Sequence, residues 1–235
     1  MSNPNPVFCA LDTTDVDHAA TLAQSLKGHV GGLKIGKEFF TAHGPAGIRQ
    51  VVPEGTLLFL DLKFHDIPNT VAGAVRAAAA LSPAMLNVHA AGGRAMMEAA
   101  RAAAHESETP PWVLAVTVLT SLDAGDMTDI GVQGSPADQV MRLATLAQRA
   151  GLDGVVCSAQ EIAALRRECG PDFKLVVPGI RPADSATGDQ KRTMTPTEAA
   201  RLGADVLVIG RPITNAPDPA AAAHAIAAAL SGGNA

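Results

Sequence analysis

Apolar residues along this chain gather in eight short runs: VFCALD (7–12), GGLKIG (31–36), LLFLDLK (57–63), MLNVHAA (85–91), WVLAVTVL (112–119), GLDGVVCS (151–158), FKLVVPGI (173–180) and DVLVIGRPI (205–213). They are continuous rather than alternating, which predicts strands covered on both faces. Between them the apolar positions recur at helical spacing. TDVDHAATLAQSLK follows the first run, NTVAGAVRAAAAL the third and GGRAMMEAARAAAH the fourth. SPADQVMRLATLAQRAG, AQEIAALRREC, TPTEAARLG and DPAAAAHAIAAAL follow the fifth to the eighth. Thr14, Asn69, Ser135, Ser158, Thr195 and Asp218 stand where N-caps are expected. After the second run, KEFFTAHGPAGIRQVV carries Gly44-Pro45, which predicts a broken or kinked helix.

Eight strand–helix repeats in 235 residues predict an α/β protein, a (β/α)8 TIM barrel, as a single domain over 1–235. The alternative is a doubly wound open sheet, which usually carries a glycine-rich nucleotide fingerprint. The nearest candidate, GHVGGLKIG, has the wrong glycine spacing and precedes a strand. No Pro/Gly/Ser linker divides the chain, and the end, about 231–235, reads as a flexible tail.

Composition narrows the partners. The net charge is −5 and the pI about 5.8, which argues against a nucleic-acid partner held by a broad basic field. Aromatics make up 3%, with no Tyr and a single Trp112, so base-stacking platforms are not expected. A few placed cations could still hold a small anion. The three cysteines, Cys9, Cys157 and Cys169, are too few for a disulfide framework and fit a reducing, cytoplasmic setting. Cys9 and Cys157 lie in apolar runs and read as buried, inert thiols. MSNPNPVF has no basic region or long apolar core, so no signal peptide is expected. AAAAHAIAAAL is too short to span a membrane.

In a barrel, chemistry sits at the C-terminal strand ends. Here those ends carry Asp12, then Lys34, then Asp61 and Lys63 with Asp66 beyond, and then Asn87 and His89. Asp61 and Lys63 are two apart on a strand, so their side chains face the same way. Alternating acids and lysines hold one another ionised where either alone would be costly. A single such pair reads best as a structural ion pair; a cluster on three neighbouring strand ends reads as a site. At the last strand end, Gly210-Arg211 stands where such barrels grip phosphate, against the plainer reading of a surface arginine in a turn. The seventh loop, RPADSATGDQKRTMT, is long and polar, as active-site lids are. His65 and His89 could join Asp61 around a metal, but Lys63 between them opposes a cation, so no metal is expected. G-x-S-x-G, H-E-x-x-H and paired C-x-x-C motifs are absent.

DLKFHDIPNT (61–70) resembles the signature of the orotidine 5′-phosphate decarboxylase family, D-x-K-x-x-D-I-x-N-T. The likeness extends through ALDTTD (10–15), LKIGKEFF (33–40), VTVLTSL (116–122), GLDGVVCSAQE (151–161), PGIRP (178–182), GDQKR (188–192) and VIGRP (208–212), closest to the bacterial branch. The resemblance implies a homodimeric barrel that converts orotidine 5′-phosphate to UMP with no cofactor. It implies that Lys63 is the proton donor in a network of Lys34, Asp61, Lys63 and Asp66. Asp66 and Thr70 would come from the other subunit. Asp12 and Lys34 would hold the ribose, and Thr120 would contact the pyrimidine. Gln190, from the lid, would bridge base and phosphate. Arg181, Gly210 and Arg211 would lie at or near the phosphate, with Pro178 also against the substrate. The nearest rivals are magnesium-dependent sugar-phosphate enzymes sharing D-x-K-x-x-D; the continuation Ile67-Pro68-Asn69-Thr70 and Gln190 favour the nucleotide enzyme. A non-catalytic nucleotide binder is the alternative of another class, and it has no need of acids beside an anion.

Overall fold

A computed structural model describes residues 5–182 and 194–232. Eight parallel strands close into a barrel in sequence order. They are β1 Val7–Leu11, β2 Gly32–Gly36, β3 Leu57–Phe64, β4 Met85–His89, β5 Trp112–Val116, β6 Gly154–Val156, β7 Lys174–Pro178 and β8 Val206–Ile209. Around them run α1 Val16–Leu26, α2 Lys37–Val51, α3 Pro68–Ala79, α4 Arg94–Ala104, α5 Ala124–Asp129, α6 Pro136–Arg149, α7 Ile162–Cys169, α8 Pro196–Arg201, α9 Arg211–Thr214 and α10 Pro219–Gly232. The predicted TIM barrel is therefore the observed fold. Each strand is buried on both faces, which is why its apolar run shows no alternation.

The two faces feed two cores. Phe8, Ala10, Phe59, Met85, Leu114, Val176, Val206 and Val208 fill the barrel, while a larger cluster packs between strands and helices. Inward positions alternate with outward ones, so Asp12, Lys34, Asp61, Lys63 and Asn87 continue the inward rows. Two glycines make the barrel closable. A Cβ on Gly32 would meet the Phe8 ring at 2.3 Å, and one on Gly154 would meet the Lys174 carbonyl oxygen at 2.1 Å.

Several elements differ from the sequence expectation. The run 205–213 is not all strand: β8 ends at Ile209 and Arg211 opens α9, with a proline in its first turn. α5 was not anticipated, although Asp123 and Asp126 form a capping box at its start. The cap of α1 is Asp15 rather than Thr14, because its carboxylate reaches the N–H groups of Asp17 and His18. α3 begins after Ile67 rather than Asn69, since Pro68 is preset for the first helical turn. Ser135 and Thr195 cap as expected, Ser158 starts a 3-10 turn, and Asp218 accepts from Ala221 N. α2 is kinked at Gly44, whose φ of 57° and ψ of −157° lie outside helical space. α10 reaches Gly232, so helix takes the first two residues of the expected tail. Among the described residues, no helix is long and apolar enough to cross a membrane.

Candidate active site

The C-terminal ends of β1, β2 and β3 bring four of the expected residues into one chain of charge. Lys34 Nζ lies 3.1 Å from Asp12 Oδ1 and 3.4 Å from Asp61 Oδ2. Lys63 Nζ lies 2.5 Å from Asp61 Oδ1. Lys34 is buried, and burial alone would lower its pKa; the carboxylates of Asp61 and Asp12 more than reverse this and hold it above the usual lysine value. Burial would raise Asp61, but Lys34, Lys63 and the hydrogen bonds from Lys63 and Asn87 hold it below the usual carboxylate range. Both lysines therefore meet a carboxylate that stays ionised. A buried ammonium left without that carboxylate would cost about 3–5 kcal/mol.

Lys63 has a left-handed backbone, φ 53°, rare for a residue with a long side chain. Such a conformation costs about 1–2 kcal/mol. It falls where the β3–β4 register jumps, between Leu60↔Leu86 and Phe64↔Val88. Strand alternation alone thus does not describe how Lys63 meets Asp61: the pair sits on an irregular strand end. Asn87, fully buried on β4, touches both, donating from Nδ2 to Asp61 Oδ1 at 2.7 Å and accepting at Oδ1 from Lys63 N at 2.7 Å.

The charged row borders a cavity of about 190 Å³. Its apolar wall includes Phe59, Val116, Val156, Pro178 and Val208; Thr120 adds a hydroxyl and Lys34, Asp61 and Lys63 the charged edge. One flat ring could rest on that wall with its edge toward the ammoniums. Cys157 also lines it, and burial pushes its thiol well above the ordinary value, so it is no ready nucleophile. Cys9 is likewise pushed up to about 12 by burial, with Asp12 adding to it. A larger cavity, about 540 Å³, opens at the opposite end of the barrel, lined by Ala23, Lys27, Gly28 and Thr56 among others; it has a cation but no carboxylate. The paired carboxylate and ammoniums lie at the smaller one.

A positive region completes the mouth. Arg181 is buried after β7, and its pKa is lowered by burial first and by the Arg211 charge second. Two guanidiniums near enough to disfavour one another are relieved by an anion between them. Gly210 precedes Arg211, and a Cβ there would stand 3.9 Å from Asp12 Oδ2, so the ends of β8 and β1 adjoin. Gly179, at φ 76°, turns the chain from Pro178 toward Arg181. Ile180 bridges Met194, and Arg181 N donates to Met194 O at 3.0 Å, which pins the two stems of the expected lid together. Gln190 lies outside the described residues.

Asp66 and Thr70 are not brought into this cavity. Both are exposed at the start of α3, where Asp66 Oδ1 accepts from Ile67 N at 2.6 Å. His65 and His89 stack obliquely, 5.4 Å between ring centroids. Burial first, then His65, Lys37 and Lys63, pushes His89 down to about 4, so it is a neutral ring at neutral pH. No group of three metal-ligating side chains occurs among the described residues. The sequence reading gave no role to Asn87. Its signal was a lone amide at an inward position of a buried strand, a group that must find partners.

Comparisons with known proteins agree on one family. The family model described as orotidine 5′-phosphate decarboxylase / HUMPS family matches residues 5–226. An orotidine 5′-phosphate decarboxylase of Rhodospirillum rubrum is 60% identical over 97% of this chain and 95% of its own length. One of Novosphingobium aromaticivorans is 58% identical over 96% of this chain and 99% of its own. Among solved structures, an orotidine 5′-phosphate decarboxylase from Lactobacillus acidophilus superposes with a TM-score of 0.86 at 37% identity, covering 96% of this chain and 99% of that one.

Proposed function

This chain belongs to the orotidine 5′-phosphate decarboxylase / HUMPS family, and from that premise we propose that it is a carboxy-lyase converting orotidine 5′-phosphate to UMP and carbon dioxide, the last step of de novo pyrimidine nucleotide synthesis. It does so without metal or organic cofactor, and Lys63 is the proton donor. One observation carries the reading: an ammonium, Lys63, paired to an ionised, buried carboxylate, Asp61, at the edge of an apolar cavity.

In the reaction the C6–carboxylate bond breaks and carbon dioxide leaves. The electron pair stays on C6 as an sp2 carbanion with no good resonance sink. An ammonium beside C6 stabilises that charge as it forms and then gives its proton to it, leaving a neutral amine that solvent reprotonates. Asp61 fixes the ammonium in place. The apolar wall takes the pyrimidine face, with Thr120 and Pro178 at the base. Asp12 and Lys34 hold the ribose. The phosphate lies by Arg181, Gly210 and Arg211, with Gln190 reaching from the lid to base and phosphate. Binding at that distant end supplies energy that closes the lid and orders the reacting end. Asp66 and Thr70 complete the site of the other subunit in a homodimer, which fits their exposure here. The chain works as a cytoplasmic enzyme.

The test is the ultraviolet absorbance of orotidine 5′-phosphate with purified protein and excess EDTA. Loss of the orotate band with UMP as product is expected. A stable band, with turnover of a sugar phosphate only when magnesium is added, would move the chain to the other branch of its family.

A further inference from the structure

We infer that Asn87 is a positioning residue for the decarboxylation: its amide clamps the bulged end of β3 and so sets where Lys63 stands against the substrate. The inference rests on the function proposed above. Between Leu60↔Leu86 and Phe64↔Val88, the β3 residues Asp61, Leu62 and Lys63 face the single β4 residue Asn87. Regular ladder bonds cannot serve all of them. The Asn87 side chain takes up the mismatch from both ends. Its carbonyl oxygen accepts from the backbone N–H of Lys63, and its NH2 donates to the carboxylate of Asp61.

The amide orientation follows from its partners. Flipped, it would set a carbonyl against a carboxylate and an NH2 against an N–H. Asn87 is fully buried and is not among the residues lining the cavity, so it acts through Asp61 and Lys63. It also answers two questions the charged pair leaves open. The left-handed backbone of Lys63 persists because its N–H has a fixed acceptor. Asp61 Oδ1 keeps its place because a second donor shares it with Lys63 Nζ. A shorter side chain reaches neither group, and a carboxylate at position 87 keeps the first bond but repels Asp61.

The experiment compares wild type, Asn87→Ala and Asn87→Asp by turnover of orotidine 5′-phosphate and by calorimetric titration with UMP. For Asn87→Ala, kcat is expected to fall about 100-fold, as when a reacting group is misplaced by an ångström. UMP affinity should stay within about threefold of wild type, with the same number of sites per subunit. Asn87→Asp adds a readout that a merely structural role would not move. Its carboxyl, once protonated, can donate to Asp61 as the amide did. Its kcat relative to wild type should therefore rise as pH is lowered, while the Asn87→Ala ratio stays flat. The charged and titratable groups around that carboxyl are Asp61, Lys63 and Lys34, with His89, His65 and Lys37 beyond. A kcat for Asn87→Ala within about twofold of wild type would overturn the clamp. So would a loss of UMP sites in parallel with activity, or an Asn87→Asp ratio that ignores pH. If wild type itself leaves the substrate untouched, the proposed function fails and the catalytic role of Asn87 fails with it. If wild type is active and Asn87→Ala equals it, only the clamp fails.

Discussion

Lys63 combines a strained backbone, a short bond to Asp61 and a place at the cavity edge. The left-handed backbone costs stability, the bond to Asp61 offsets the cost of burying charge, and together they fix one ammonium. On the proposed mechanism, removing it takes away both the charge that meets the carbanion and its proton source. Lys63→Ala should lower kcat/KM by about 10⁴-fold or more, while UMP binding remains measurable by calorimetry. Turnover near wild type would end the proton-donor assignment. Asp12, Lys34, Asp61 and Lys63 were legible in the sequence because a charge at the end of an apolar strand run is itself a signal. Asn87 was not, because its meaning depends on a register jump between β3 and β4 that no local pattern encodes. The Arg181–Arg211 proximity came from the family resemblance and not from the residue pattern: two residues thirty positions apart meet only once the barrel closes.

Among elements, the central strands were legible because burial on both faces leaves an unbroken apolar run. Their ends were not. Arg211-Pro212-Ile213-Thr214 extends the apolar run of β8 in sequence, yet the proline and the geometry after Gly210 turn it into α9. The stitching at the other end of the barrel was also invisible. Arg166 on α7 donates from Nη1 to the carbonyls of Gly170, Pro171 and Phe173 at 2.9 Å each, and from Nη2 to Asp205 Oδ2 at 2.6 Å. Asp205 in turn accepts from Leu175 N at 2.8 Å, so one guanidinium ties α7, the approach to β7 and the approach to β8. Arg166→Met keeps much of the apolar stem but leaves four carbonyls short of a donor, that of Gly203 included, and Asp205 with only its longer pair to Lys174, at 3.6 Å. It should cost about 2–4 kcal/mol of stability in urea unfolding. The kcat of the folded fraction should be unchanged, because these bonds lie away from the charged cavity; a change in kcat at unchanged stability would contradict that.

At the scale of the whole molecule, the chain supplies a charged row, an apolar wall and two neighbouring guanidiniums, yet leaves Asp66 and Thr70 outside its own cavity. Ile67, between them, is 66% exposed, an apolar side chain left uncovered among the described residues. In the homodimer proposed above, Ile67 would be covered by the second copy and Asp66 would reach that copy's site. A two-fold pair does this reciprocally: each protomer lends its acid and receives one. The arrangement is testable by mixing two inactive chains. Lys63→Ala lacks the proton donor, and Asp66→Asn lacks the lent acid. If both act within one protomer, a hybrid dimer has no intact site. If Asp66 acts across the interface, one site of the hybrid receives both defects and the other receives neither. Random exchange of equal amounts makes about half the dimers hybrid, so activity should return to about one quarter of wild type. Recovery should track the fraction of hybrid dimer separated by a charge tag. Hybrids no more active than their parents would mean that Asp66 serves its own subunit's site rather than its partner's.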